Sequence, residues 1–152
     1  RDFCLSRGLG DVYKRQSYHM PGISALFAGD ALFSLGCGRL LEGTAPMLWE
    51  SLQRLRALPD ETMLYCGHEY TGSNARFALS VDPKNLLLHE RATEVEHLRV
   101  AGEPTLPVML GREKKTNPFL RADDATLAEE IGLSGEPPEG VFAALRSRKD
   151  AF

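Results

Sequence analysis

Two side chains able to bind a metal occupy matching places in the sequence. Asp30 follows Gly29 after the apolar run Ala25-Leu26-Phe27-Ala28, and His68 follows Gly67 after Met63-Leu64-Tyr65-Cys66. Carboxylate oxygen and neutral imidazole nitrogen suit zinc, iron or manganese, so the pair is the beginning of a metal site, although two ligands alone hold a metal weakly. The remaining histidines do not enlarge it. Thr93 stands where His89-Glu90 needs a second histidine to complete H-E-x-x-H, so His89 and His97 read as solvated helix residues. His19 reads as a surface strand residue. Near the C-terminus, Arg146 and Lys149 lie three residues apart on a helical stretch. That spacing puts both cations on one face, where they can receive a carboxylate jointly. A basic helix end that favours the macrodipole is the alternative reading.

The elements that must position these groups follow from periodicity and punctuation. Each apolar run is of strand length and is stopped by glycine. Between them lie the glycine-rich loop Gly36-Cys37-Gly38 and a helix with Thr44 as N-cap and Pro46 in its first turn. Met47, Leu48, Leu52, Leu55 and Leu58 give this helix an apolar stripe, and Trp49 belongs with the core. Strand, helix and strand with this crossover imply parallel neighbours, so Asp30 and His68 should emerge at one edge of one sheet. Beyond His68 the pattern turns helical. A helix is expected over 74–79 and a longer one from about 84 to 101, with Leu87, Leu88, Ala92, Val95 and Leu98 buried. A proline-interrupted extended stretch to Pro118 should follow, then helices over about 125–131 and 139–149. Cys37 and Cys66 read as small packing residues, and Lys114, Lys115 and Arg121 as a solvated or interdomain surface.

Composition narrows the class of function. A chain of 152 residues, 43% hydrophobic and 26% charged, is sufficient for one globular core. A net charge of -3 argues against a general nucleic-acid surface. No apolar run reaches the roughly 20 residues that span a bilayer, and no signal-peptide pattern opens the chain. Three cysteines without C-x-x-C spacing point to a reducing, cytoplasmic setting. The chain begins at Arg1, and the stretch from Ser6 to Gln16, SRGLGDVYKRQ, looks like a translated sequencing adapter. Native sequence is therefore expected from near Ser17.

The wording around the two candidate ligands is more specific than their spacing. ALFAGDALFSLGCGRLLEGT over 25–44, YCGHEYT over 65–71 and KTNPFLR over 115–121 closely resemble glyoxalase II, a hydroxyacylglutathione hydrolase family of the metallo-β-lactamase superfamily. The resemblance implies an α/β chain: the C-terminal part of an αββα sandwich over 17–81, followed by a helical glutathione-binding domain over 82–152. It implies that Asp30 bridges a pair of divalent metal ions, zinc, iron or manganese, and that His68 ligates one of them. It also implies that Arg39, Tyr70, Arg146 and Lys149 bind the glutathione group. Leu41 stands where the family often has an aromatic residue. The T-H-x-H-x-D-H motif and a histidine just before Ser17-Tyr18 are missing from this sequence, so most of the expected ligands are absent and the isolated chain should hold a metal pair poorly.

The activity implied is hydrolysis of S-D-lactoylglutathione to D-lactate and glutathione, the second step of methylglyoxal detoxification, by a cytoplasmic monomer acting on a small molecule. Two other readings remain. One is a glutathione-persulfide dioxygenase of the same superfamily, disfavoured by the helical C-terminal part with its basic pair. The other is a non-catalytic glutathione-binding module.

Overall fold

The computed structural model describes residues 3–4, 16–40 and 43–152. Leu41 and, except for Gln16, the adapter-like stretch lie outside these residues. The fold is mixed α/β. Strands β1 (Phe3–Cys4), β2 (Tyr18–Met20), β3 (Ala25–Gly29), β6 (Met63–Cys66) and β7 (Val108–Met109) form a sheet in the order β1-β2-β3-β6-β7. Two further short strands, β4 (Leu32–Phe33) and β5 (Gly36–Cys37), make a separate antiparallel hairpin. As the sequence implies, β3 and β6 are parallel, with Ala25 opposite Met63 and Phe27 opposite Tyr65, joined through helix α1 (Ala45–Arg56). The sheet is completed by antiparallel pairing of β2 with β3 and of β7 with β6.

Alternation along the strands divides the two faces. Leu26, Ala28, Leu64 and Val108 point into the main core, where they meet Leu48, Trp49, Leu52 and Leu55 of α1. The core also takes Phe119 and Leu120 from a 3-10 turn (Pro118–Leu120) and Val141, Phe142 and Leu145 from the last helix, so residues on both sides of position 81 share it. The opposite face is apolar too. Tyr18, Phe27 and Tyr65 stand in one cross-strand row, Phe27 and Tyr65 stacked at 4.9 Å between centroids. In the neighbouring row Met20 and Met63 flank Ala25, and Met63 pairs with Met109. Phe27 is 39% and Tyr65 37% exposed, and no described element covers them.

The helical part consists of α2 (Thr71–Val81), α3 (Leu86–Val100), α4 (Leu110–Thr116), α5 (Ala125–Glu130) and α6 (Pro138–Ala151). Three expectations need correction. In α3 the buried positions are Leu88, Arg91 and Val95, whereas Leu87 is exposed. Arg91 takes the inward place because its guanidinium donates to Thr105 O at 2.9 Å and pairs with Glu94 at 3.1 Å. The stretch before Pro118 is not wholly extended, since α4 occupies it. Pro107 and Pro118 bracket a proline-free window and so mark the ends of a helical segment instead of forbidding one. Arg121 is no surface residue: it pairs with buried Asp82, and with Asp124 at 2.5 Å, tying the end of α2 to the start of α5. Trp49 and Cys37 are buried, as expected of core residues.

Candidate metal and ligand site

Asp30 and His68 leave the ends of the two parallel strands side by side. His68 Nε2 lies 3.5 Å from Asp30 Oδ1, and both side chains are about half exposed. Gly67 donates its N–H to Gly29 O at 2.8 Å, which locks the two strand ends together. A Cβ on Gly67 would fall 2.6 Å from Asp30 Oδ1, so only glycine allows this approach. Among the described residues, no group of three or more His, Cys, Asp or Glu side chains is placed to hold a metal ion. Asp30 and His68 thus set one carboxylate and one imidazole side by side, donor types that suit zinc, iron or manganese.

Tyr70 stacks on His68 at 5.2 Å between centroids, and Phe33 of the β4–β5 hairpin meets Tyr70 edge-on at 5.3 Å. The turn carrying His68 and Tyr70 is fastened by Glu69, whose carboxylate accepts from Thr71 Oγ1 at 2.8 Å, from Thr105 N at 3.0 Å and from the Thr105 hydroxyl. Burial disfavours the Glu69 carboxylate, but the Thr105 and Thr71 hydrogen bonds, with the Arg99 charge, outweigh it and hold the group below its ordinary value. Cys66, one residue before Gly67, is pushed up to about 12 by burial and by the charge of Glu113, so it stays a neutral thiol.

The hairpin joins the Asp30–His68 end to a cationic end. Gly38 packs against the backbone carbonyl of Asp30 so closely that any Cβ would overlap it, and Arg39 follows directly. Arg39 Nε lies 3.9 Å from Asp150 Oδ1. Arg146 reaches the same carboxylate at 2.9 Å and donates to Cys37 O at 3.0 Å, with its guanidinium over the Phe119 ring. It is only 4% exposed. Lys149 Nζ approaches Ser73 O at 3.4 Å and sits over the rings of Phe77 and Phe152. Burial, then the charges of Arg146, Arg76 and Arg39, lower the Lys149 ammonium from its ordinary value. Arg146 and Lys149 thus share a neighbourhood but not an exposure.

The hairpin itself is held from beneath by groups that sequence reasoning missed. Glu113 of α4 is fully buried, and its carboxylate accepts from Ser34 Oγ and Leu35 N, both at 2.7 Å, and from Asn117 Nδ2 at 3.0 Å. Asn117 also donates to Phe33 O and Gly36 O, each at 3.1 Å, and Asn74 donates to Ser34 O at 3.0 Å. Asn117 lies within the KTNPFLR stretch, a usable signal. Glu113 lies outside it and gave none. His89 bonds Pro83 O at 2.7 Å and is exposed, as is His97, and neither joins Asp30 and His68 in a cluster of donors.

The family model for the hydroxyacylglutathione hydrolase C-terminus matches residues 69–152. The chain belongs to the hydroxyacylglutathione hydrolase family. A relative of that name from Rhodopseudomonas palustris (strain HaA2) is 58% identical over 141 residues, which is 93% of this chain and 55% of the relative. One from Bartonella henselae is 58% identical over 136 residues, 90% of this chain and 54% of the relative. The chain thus spans about half the length of the curated relatives it matches. Among solved structures, ETHE1 from Myxococcus xanthus aligns with 90% of this chain and 48% of its own, at 26% identity and a TM-score of 0.44. No helix of the described residues is long and apolar enough to cross a membrane.

Proposed function

We propose that the protein to which this chain belongs hydrolyses the thioester S-D-lactoylglutathione to D-lactate and glutathione in the cytoplasm. The convergence of Asp30 and His68 at one edge of a parallel strand pair carries this reading, because it gives the GD and GH motifs of this family a common site. Asp30 and His68 would hold divalent metal ions here, one through its carboxylate and the other through its imidazole. When bound, such ions activate water as a nucleophile and polarise the thioester carbonyl. The thiolate released has a pKa near that of free cysteine, so the chain need not supply a strong general acid.

The chain's own residues would hold and orient the glutathione group. Arg39 and Lys149 offer cationic heads to a carboxylate, and Tyr70 offers a hydroxyl beside His68. Arg146, with its guanidinium buried against Cys37 O and Asp150, supports the ligand by fixing the loop from which Arg39 projects. Residues 17–81 would then supply the metal edge with Arg39 and Tyr70, and 82–152 would supply Arg146 and Lys149. The uncovered row Tyr18, Phe27 and Tyr65 supports a second sheet packing here, as in an αββα sandwich, since an apolar sheet face is stable only when covered.

The reading is tested on a protein of the relatives' full length carrying this segment. Thioester cleavage and bound metal are expected, with Asp30→Asn and His68→Ala each losing most of both. The 152-residue chain alone should bind clearly less than the full-length protein. Oxygen uptake with glutathione persulfide, in the absence of thioester cleavage, would establish the dioxygenase reading instead.

A further inference from the structure

We propose that Arg76 is a further ligand-binding cation of this site, pairing with a carboxylate of the glutathione group, an inference that rests on the glutathione reading above. The argument begins with the docking of α6 on α2. Lys149 Nζ approaches Ser73 O at 3.4 Å, and Arg76 lies one helical turn beyond Ser73, both residues exposed on α2. Residues three apart on a helix are surface neighbours, so Arg76 stands on the face against which Lys149 is seated. The Lys149 ammonium is lowered by burial and then by the charges of Arg146, Arg76 and Arg39, so Arg76 is one of three cations whose field reaches Lys149.

Among the described residues, the Asp150 carboxylate meets this cluster and is shared between Arg146 at 2.9 Å and Arg39 at 3.9 Å. Arg76 has no hydrogen bond or ion pair with a described residue. Like charges held together raise each other's free energy, and an incoming anion relieves that repulsion. Glutathione carries a carboxylate at each end, one on glycine and one on the γ-glutamyl unit, and a planar guanidinium matches either bidentately. Arg76 is exposed and outside the core, so its replacement should leave the fold intact.

The test uses the full-length enzyme. Arg76→Ala should raise KM for S-D-lactoylglutathione by about fivefold, the scale of an exposed charge pair, while kcat stays within about twofold. Arg76→Lys should recover most of the loss. Two modified substrates identify the carboxylate: one esterified at glycine, the other amidated at the γ-glutamyl carboxylate. With one of them, wild type and Arg76→Ala should give the same KM. An unchanged KM in Arg76→Ala, or a difference that survives both modifications, overturns the role of Arg76 alone. A wild-type enzyme that turns over no glutathione thioester overturns the functional reading and this inference together.

Discussion

Removing the Glu113 carboxylate should destabilise the chain by about 2–4 kcal/mol, because it strips acceptors from buried donors. Leu35 N and Ser34 Oγ both lose a partner at 2.7 Å in Glu113→Ala, whereas Asn117 Nδ2 keeps Phe33 O and Gly36 O. Two orphaned buried groups cost about 1–3 kcal/mol each. Relief from desolvating a fully buried carboxylate offsets part of that sum. Glu113→Gln separates the two effects, since an amide keeps an oxygen for Leu35 N without a charge. Burial raises the Glu113 carboxyl above its ordinary 4.5, against the pull of the Leu35, Ser34 and Asn117 bonds. Its contribution is therefore full below the unfolded value and declines as pH rises through the folded one. Relative to Glu113→Gln, wild type should lose stability from acid toward neutral pH. Urea unfolding followed by the fluorescence of Trp49, the chain's one tryptophan, reads both effects. A loss under about 1 kcal/mol in Glu113→Ala would refute the claim that this carboxylate supports the hairpin. A pH-independent difference between wild type and Glu113→Gln would refute the role assigned to burial.

Two other outcomes are expected. The lowered Lys149 ammonium should make binding of S-methylglutathione, which has no thiol to titrate, weaken at a lower pH than an ordinary lysine at 10.5 would dictate. Calorimetry across alkaline pH checks this on the full-length enzyme: the carboxylate favours charged Lys149, so affinity falls as pH rises through the lowered value, and an affinity constant up to 10.5 counts against it. On the apolar sheet face, Phe27→Ser and Tyr65→Ser should reduce hydrophobic-dye binding by the 152-residue chain. Each should cost the full-length protein up to about 1.5–3 kcal/mol if a second sheet buries these rings, and unchanged stability there would show that nothing does.

Much of this arrangement was legible in the residues because it depends on local rules. Glycine after an apolar run stops a strand, and a helical crossover of this length makes the flanking strands parallel, so the meeting of Asp30 and His68 followed from sequence. The helix count was partly legible for the same reason. It failed at α4, where prolines at both ends concealed a helical window between them. It failed also at Arg91, because periodicity assigns inward positions to apolar residues and cannot see a carbonyl waiting for a buried guanidinium.

The cationic end shows the division most clearly. Sequence determined that Arg146 and Lys149 lie on one helix, and spacing gave them equal claims to a ligand. Tertiary packing gave them different surroundings: Phe119, Cys37 O and Asp150 enclose Arg146, while Lys149 reaches Ser73 O at the edge of α2. Arg76 and Lys149 are 73 positions apart, from 149 less 76. Only the docking of α6 against α2 brings their charges together, because a charge cluster arises from contacts between distant elements and no local pattern encodes them.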